Sequence, residues 1–392
     1  MRALLIIAIA LAAARSADLI TLRVAPVNAA RSESDHHLLA LSARHGRVER
    51  RFPQPEGGRF PSVSAIEPDG DGGWFLSGTF DSVGGVGCPS VVHLFASGEG
   101  DRDWCPRPDG DVSRLARAGD SLYVTGNFSN IGGKARDGFA ELDAATGHVR
   151  PWQPQQGFRS TGVLAADTSR VFLGGGGLLT AFDRGTGQRL PWNARFDNRG
   201  SRCTYARRCD TDLGAILVRG NSVYVAGNFR HVQGQKRIGL AALDARGARL
   251  LPWRANLNED AVTSIDDVPR QLAAAGQTVY VGQTGLSAFE RIGGVRREGF
   301  AALDARTGAV RRWLPRLPRY EQKVWAFAVS GSTFVVVYDY TTSQYSDIFL
   351  TAVRVVDRAT GQKVRWTHTI PGDHFYIPFA RIGGTRVLVD YY

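Results

Sequence analysis

One phrase recurs along this chain and limits what it can fold into. It reads FAELDAATGHVRPW at 139–152, LTAFDRGTGQRLPW at 179–192, LAALDARGARLLPW at 240–253, FAALDARTGAVRRW at 300–313 and VRVVDRATGQKVRW at 353–366. Two degenerate copies precede these, LLALSARHGRVERRF at 38–52 and VVHLFASGEGDRDW at 91–104, with Phe52 standing where the others have Trp, which makes seven copies. Each phrase reads as a hairpin: alternating apolar residues such as Phe139, Ala140 and Leu142, a polar turn closed by Gly147, and a short strand ending at Trp152. Asp143 and Thr146 are residue types that bond the backbone of their own turn. Between phrases lies a second hairpin, VSRLARAGDSLYVTGNF at 112–128, echoed by GAILVRGNSVYVAGNF at 214–229, AAAGQTVYVGQ at 273–283 and FAVSGSTFVVVYDY at 327–340.

Four antiparallel strands recurring about every 40 to 60 residues, with no amphipathic helix, predict an all-β chain. The expected architecture is a single seven-bladed β-propeller over 37–392, four antiparallel strands per blade. Two stacked sandwiches would not repeat one turn phrase. The N-terminus supplies only the second half of a repeat and the C-terminus only the first half. Strands at 37–43 and 47–52 are therefore expected beside strands at 374–380 and 385–391, so that N-terminal and C-terminal half-blades close the ring and leave no sheet edge bare. Glycine, 46 of 392 residues, suits so many turns, and 43% hydrophobic with 22% charged residues excludes disordered and collagen-like chains.

Met1-Arg2 followed by the apolar run Ala3 to Ala14 reads as a secretory signal over residues 1–16, too short to span a bilayer, with 17–36 as an N-terminal extension. No later segment is apolar enough to cross a membrane. The expectation is an exported protein, in the periplasm, at the cell surface or outside the cell. Four cysteines in an oxidising compartment suggest disulfides, and closeness in the chain pairs Cys88 with Cys105 and Cys203 with Cys209. Their spacing is not that of a zinc site. The formal net charge of +11 is carried mostly by Arg. Outside the cell it points away from nucleic acid and toward an anionic glycan, a wall polymer or another envelope protein.

The segments SGTFDSVGG (77–85), TGNFSNIGGKARDGFAELDAATG (125–147) and AGNFRHVQGQKRIGLAALDARG (226–247) resemble delta-60-type β-propeller repeats of secreted bacterial proteins. The resemblance implies an exported propeller and brings no catalytic residues. The D-x-x-T-G and Trp pattern is also similar to quinoprotein propeller repeats, which normally place one residue fewer between Gly and Trp. Here four residues separate Gly147 from Trp152, and likewise Gly187 from Trp192, Gly308 from Trp313 and Gly361 from Trp366. The extra residue is expected to turn the Trp to the other face or force a bulge. Quinoproteins of this kind usually have one blade more than the copies counted here, and a vicinal Cys pair that this chain lacks.

No H-E-x-x-H, G-x-S-x-G, Walker A or C-x-x-C motif occurs. Asp69-Gly70-Asp71-Gly72 and the glycine run at 174–177 read as turns, and no metal or cofactor is expected. Trp104, Trp152, Trp192, Trp253, Trp313 and Trp366 recur at one place per repeat and read as packing anchors, with Trp74 and Trp325 as core between blades. Arg136, Arg237 and Arg297 are expected to bond a neighbouring blade. Loops linking the two halves of a repeat are long and varied, so function is expected on their face of the ring. The candidates there are Arg195, Tyr205, Arg207 and Arg208 near Glu259, Asp260, Asp266 and Asp267, with Tyr340 and Tyr345. This describes a non-catalytic binding or scaffold module; a propeller enzyme acting on carbohydrate, or a quinone-dependent oxidoreductase, is the alternative.

Overall fold

The computed structural model describes residues 37–49, 52–58, 61–154, 162–200, 211–262, 269–283, 289–297, 299–317, 322–341, 349–370, 379–383 and 385–391. The signal and extension expected over 1–36 lie outside this set. The described residues form 31 strands and a single 3-10 turn, Glu259–Val262. No described helix is long and apolar enough to cross a membrane.

Seven antiparallel sheets of three or more strands follow one another among the described residues. The first joins Ser62–Pro68, Trp74–Thr79 and Val91–Leu94; the second joins Asp111–Ala118, Ser121–Asn127 and Phe139–Asp143. The third contains Val163–Ala166, Arg170–Gly175, Leu178–Asp183 and Arg189–Asp197, and the fourth Leu213–Arg219, Ser222–Gly227 and Leu240–Asp244. Gln271–Ala275, Thr278–Gly282 and Phe300–Asp304 make the fifth, and the sixth runs Gln322–Ser330, Thr333–Thr341, Phe349–Asp357, Val364–Ile370. The terminal sheet sets Arg386–Tyr391 between Phe379–Gly383 and the N-terminal strand His37–Ser42.

Side chains of a strand alternate between faces, and the middle strands use both faces for core. Phe172 packs with Trp192 and Val223 toward the fourth sheet, while Val171 and Leu173 pack with Tyr123 and Trp152 of the second. Val279 and Val281 face Tyr224 and Trp253, and Tyr280 between them faces Phe334 and Val336. Similar clusters join the first sheet to the second through Phe75, Trp104 and Val124, and the sixth to the terminal sheet through Trp325, Val353 and Val387. Trp74 packs with Leu38 and Leu388, so the terminal sheet also meets the first.

The repeated phrase has one job at the boundary between repeats. Oδ1 of Asp143 accepts from the N–H groups of Ala145 and Thr146 and from the Thr146 hydroxyl, which closes the turn; Asp183 and Asp304 do the same. Gly147 then takes φ 72°, the left-handed region that favours glycine. A Cβ there would stand 3.1 Å from Trp104 of the preceding repeat, so a bare backbone admits the indole as well. The indole N–H of Trp104 donates to the Ala144 carbonyl, Trp152 to Asp183, Trp192 to Asp244 and Trp253 to Asp304. Trp366 donates to Ala43, 323 residues away, at the same turn position of the N-terminal repeat. Trp313 differs: it is half-buried, and its indole nitrogen has no partner among the described residues.

Two expectations need correction. Only the third and sixth sheets have a full fourth strand; after the third strand of the others the chain makes an isolated bridge, Leu142 with Val149, Leu243 with Leu250 and Leu303 with Val310. The gap between Gly and Trp does not decide it, because the third sheet (Gly187 to Trp192) and the sixth (Gly361 to Trp366) share the spacing of the second and fifth. Where the fourth strand is complete the register slips, at Thr180/Phe182 and at Val355/Val356, and elsewhere the ladder ends within a few residues. Among the described residues Arg136, Arg237 and Arg297 bond no neighbouring repeat: Nη2 of each donates to a carbonyl 14 residues on in its own repeat, Arg150, Leu251 and Arg311. They fasten the outer segment of a repeat to its own third strand.

Cys88 and Cys105 form a disulfide with Cα atoms 5.5 Å apart, as expected. Cys203 and Cys209 lie outside the described residues.

Candidate functional site

Between the second and third strands of four sheets the chain makes a short excursion around two residues of positive φ: Gly84-Gly85, Gly132-Gly133, Gln233-Gly234 and Gly293-Gly294. Two successive positive φ values define a type I′ turn, whose twist matches a tight hairpin. Each excursion is rooted by a buried apolar residue, Val83, Ile131, Val232 and Ile292. Each also ties back to the preceding repeat: Pro55 pairs with Val83, and the N–H groups of Gly132, Gln233 and Gly293 donate to the carbonyls of Pro106, Arg195 and Asn256. The tips lie at the link end of the strands, and three of the four carry cations: Lys134, Lys236, Arg291 and Arg296 are all exposed.

Arg195 is exposed near the end of the strand Arg189–Asp197, and its carbonyl takes the Gln233 N–H. Glu259 opens the 3-10 turn on the other side of the same hairpin. Its carboxylate accepts from Lys236 Nζ at 2.8 Å and Arg230 Nη1 at 3.0 Å, and these bonds hold it below the usual carboxylate range. Asn258 Oδ1 beside it accepts the N–H groups of Glu290 and Arg291, which joins this turn to the next hairpin. Acid and base thus share one surface, with Arg230 and Lys236, unmarked by the sequence reading, as the partners of Glu259. Their positions on either side of Gln233-Gly234 were the available signal.

Asp260 lies in the 3-10 turn. Tyr340 is half-buried in the strand Thr333–Thr341, its ring 5.7 Å from Tyr338, at the edge of the core between the fifth and sixth sheets. Tyr205, Arg207, Arg208, Asp266, Asp267 and Tyr345 lie outside the described residues.

Successive antiparallel sheets joined by docked tryptophans define a propeller-like, quinoprotein-like repeat protein. The chain belongs to the PQQ_2 family, described as outer membrane protein assembly factor BamB, whose model matches residues 142–379. No curated protein matches the sequence. Among solved structures it is similar to the extracellular domain of a B. thetaiotaomicron protein described as a one-component system, BT4673, at 11% identity and TM-score 0.46, covering 81% of this chain and 38% of that one. It is similar to Kuenenia stuttgartiensis hydrazine synthase at 11% identity and TM-score 0.45, over 83% of this chain and 99% of that one. Hsv2 of Kluyveromyces marxianus matches at 11% identity and TM-score 0.39, over 82% and 84%. Likenesses at this level carry no information about activity.

The quinoprotein likeness implies a vicinal cysteine pair against a quinone cofactor, and the described cysteines do not supply one. Cys88 and Cys105 are bonded to each other within the first repeat's core region and are not adjacent in the chain. Among the described residues no three His, Cys, Asp or Glu side chains converge as a metal-binding set.

Proposed function

We propose that this chain is an exported seven-bladed β-propeller, closed by its terminal strands, that serves as a non-catalytic binding or scaffold module at the cell envelope. Pairing of His37–Ser42 with Arg386–Tyr391, and the Trp366 bond to Ala43, support closure. The signal-like start of the sequence and the family's description support export and an envelope role.

The observation that carries the binding reading is the link-face array of cationic I′ hairpins. Rigid tips lose little entropy on association. The Glu259 pairs are exposed and contribute about 0 to 1 kcal/mol each, so an external anion competes for Lys236 and Arg230 at small cost. The partner class that fits is an anionic polymer, a glycan or wall polymer; Arg195, whose carbonyl takes the Gln233 N–H, lies beside one of these hairpins, and Arg207 and Arg208 follow it in the chain.

The test is binding of the protein to polygalacturonate, with neutral dextran as control. Binding should weaken as salt rises. It should also fall in the combined Lys134→Ala, Arg195→Ala, Arg207→Ala, Arg208→Ala variant, with the melting temperature unchanged. Equal binding by variant and parent would sink the proposal, as would saturable turnover of a sugar or alcohol.

A further inference from the structure

The opposite end of the strands holds a different site, an open cleft of about 510 Å³ between the second and third sheets. That volume is within the range of small-molecule sites. Its walls come from the short turns: Ser121, Glu141, Arg150 and Trp152 on one side, Ser169 and Arg184 on the other.

The repeat itself supplies the control for judging these residues. Glu141 stands opposite Tyr123 in the strand register. At the corresponding position Ala242 stands opposite Tyr224, Ala302 opposite Tyr280, Ala181 opposite Phe172 and Val355 opposite Val335. The fold therefore needs only a small apolar residue there. His93 is the other polar occupant, opposite Phe75, and its ring nitrogens both lie against carboxylates, Asp101 and Asp69. Glu141 instead lines the cleft, although its side chain is only 7% exposed. A buried carboxylate is costly unless it is bonded. It accepts from Ser121 Oγ at 2.6 Å and Tyr123 OH at 3.4 Å, with Arg150 Nη1 3.6 Å away.

Both arginines around it are already paired. Arg150 Nη2 binds Asp120 at 2.8 Å and Asp143 at 2.7 Å. Arg184 Nη2 reaches Asp120 at 3.3 Å and the Ala118 carbonyl, and its Nε donates to Tyr123 OH. Oδ1 of Asp183 is occupied by its own turn. The carboxylates of Asp120, Glu141, Asp143 and Asp183 outnumber the two guanidinium groups, so an anionic ligand finds no free cation, and L-arginine is the control that tests a cation. A ligand made of hydroxyl groups, each both donor and acceptor, finds carboxylate acceptors, guanidinium donors, the Ser169 hydroxyl and the edge of Trp152 together.

From this geometry we infer that the cleft is a binding site for a neutral saccharide, with Glu141 as the residue that distinguishes this repeat from its fellows. It lies at the other end of the strands from the cationic hairpins, so either site can fail without the other.

The experiment is calorimetric titration of the protein with maltose, lactose and chitobiose, using glucuronate and L-arginine as charged controls. At least one disaccharide should bind saturably, one per chain, and bind more tightly than both controls. Glu141→Ala restores what three other repeats carry, Ala181, Ala242 and Ala302, so it should fold normally and bind about tenfold more weakly. Gly185→Trp serves as the second variant. Gly185 lines the cleft and a Cβ there meets only Asp183 Oδ1, at 3.4 Å, so the backbone tolerates a side chain, and an indole is expected to occupy the cleft and abolish binding. The inference is overturned if no disaccharide binds at up to about 10 mM, if either variant binds like the parent, or if a charged control binds more tightly.

Discussion

The boundary between the second and third sheets and that between the fifth and sixth are built from the same parts. Tyr123 meets Trp152 edge-on at 5.4 Å, and Tyr280 meets Trp313 edge-on at 5.1 Å. Arg150 binds Asp143 at 2.7 Å, and Arg311 binds Asp304 at 2.8 Å. Arg184 donates to Tyr123 OH, and in the matching place Arg358 sets its charge near Tyr280, opposing the rise that burial gives the phenol. Three polar differences surround the cleft: Asp120, Ser121 and Glu141 in one boundary become Gln277, Thr278 and Ala302 in the other. Arg311 then turns its second bond to the Gln277 carbonyl instead of a second carboxylate. The common parts are what the repeat needs to stack; the polar replacements around Glu141 are what one boundary adds.

The largest effect that can break this comparison is loss of the aromatic anchor. Trp152→Ala removes a buried, hydrogen-bonded indole and should cost about 3 to 5 kcal/mol in urea unfolding. Trp313→Ala, from a half-buried indole without that bond, should cost clearly less. Equal losses would mean that burial and the bond to the next turn are not what separates the two boundaries.

The disulfide belongs to neither boundary and sharpens the contrast. Replacing Cys88 and Cys105 by Ser should cost about 3 kcal/mol for a loop of 17 residues. The gap between the two Trp variants should persist in that background, and a collapsed gap would show coupling through the first repeat.

Acid should separate the boundaries next. The Arg150 guanidinium, bonded to Asp143, holds that carboxyl down to about 2. Its folded value is depressed, so the stability it contributes is present above the unfolded value near 3.8 and is lost as pH falls through about 2. Asp304 is lowered chiefly by the N–H of Thr307 in its own turn. Asp143→Asn should therefore flatten the acid limb of stability between about pH 4 and 2 more than Asp304→Asn does. Chemical unfolding at stepped pH measures both.

Smallest of all should be Glu141→Ala. The bonds to a buried carboxylate largely offset the cost of burying it, so removing it changes little, and Ala already serves at this position in the fifth sheet. A loss as large as that of Trp152→Ala would make Glu141 a structural residue and remove the contrast.

Much of this was legible beforehand because the repeat is written in local chemistry. Asp143, Thr146 and Gly147 disclose their turn, the six tryptophans disclose anchors, and Cys88 and Cys105 disclose their bond. What stayed hidden depends on contacts across repeats or on register. The indole of Trp104 bonds Ala144, 40 residues away. The cleft gathers Ser121, Glu141, Arg150 and Arg184 from two sheets, and no spacing rule joins them. Arg136 was placed with the wrong repeat because R-x-G gives no direction, whereas the fold bends its guanidinium toward its own outer segment. The shortened fourth strand depends on where the ladder slips, which a count of residues between Gly and Trp foretells only as strain.

The pairing of the first strand with the last imposes an order of events. His37–Ser42 is made early, yet the backbone groups it needs belong to Arg386–Tyr391, made far later. Until those residues exist, that strand has no mate and its apolar face, Leu39 and Leu41, no cover. Every other sheet can assemble from neighbours as the chain emerges. A chain cut short before Arg386 therefore lacks the piece that fastens its first strand, however well its middle has folded.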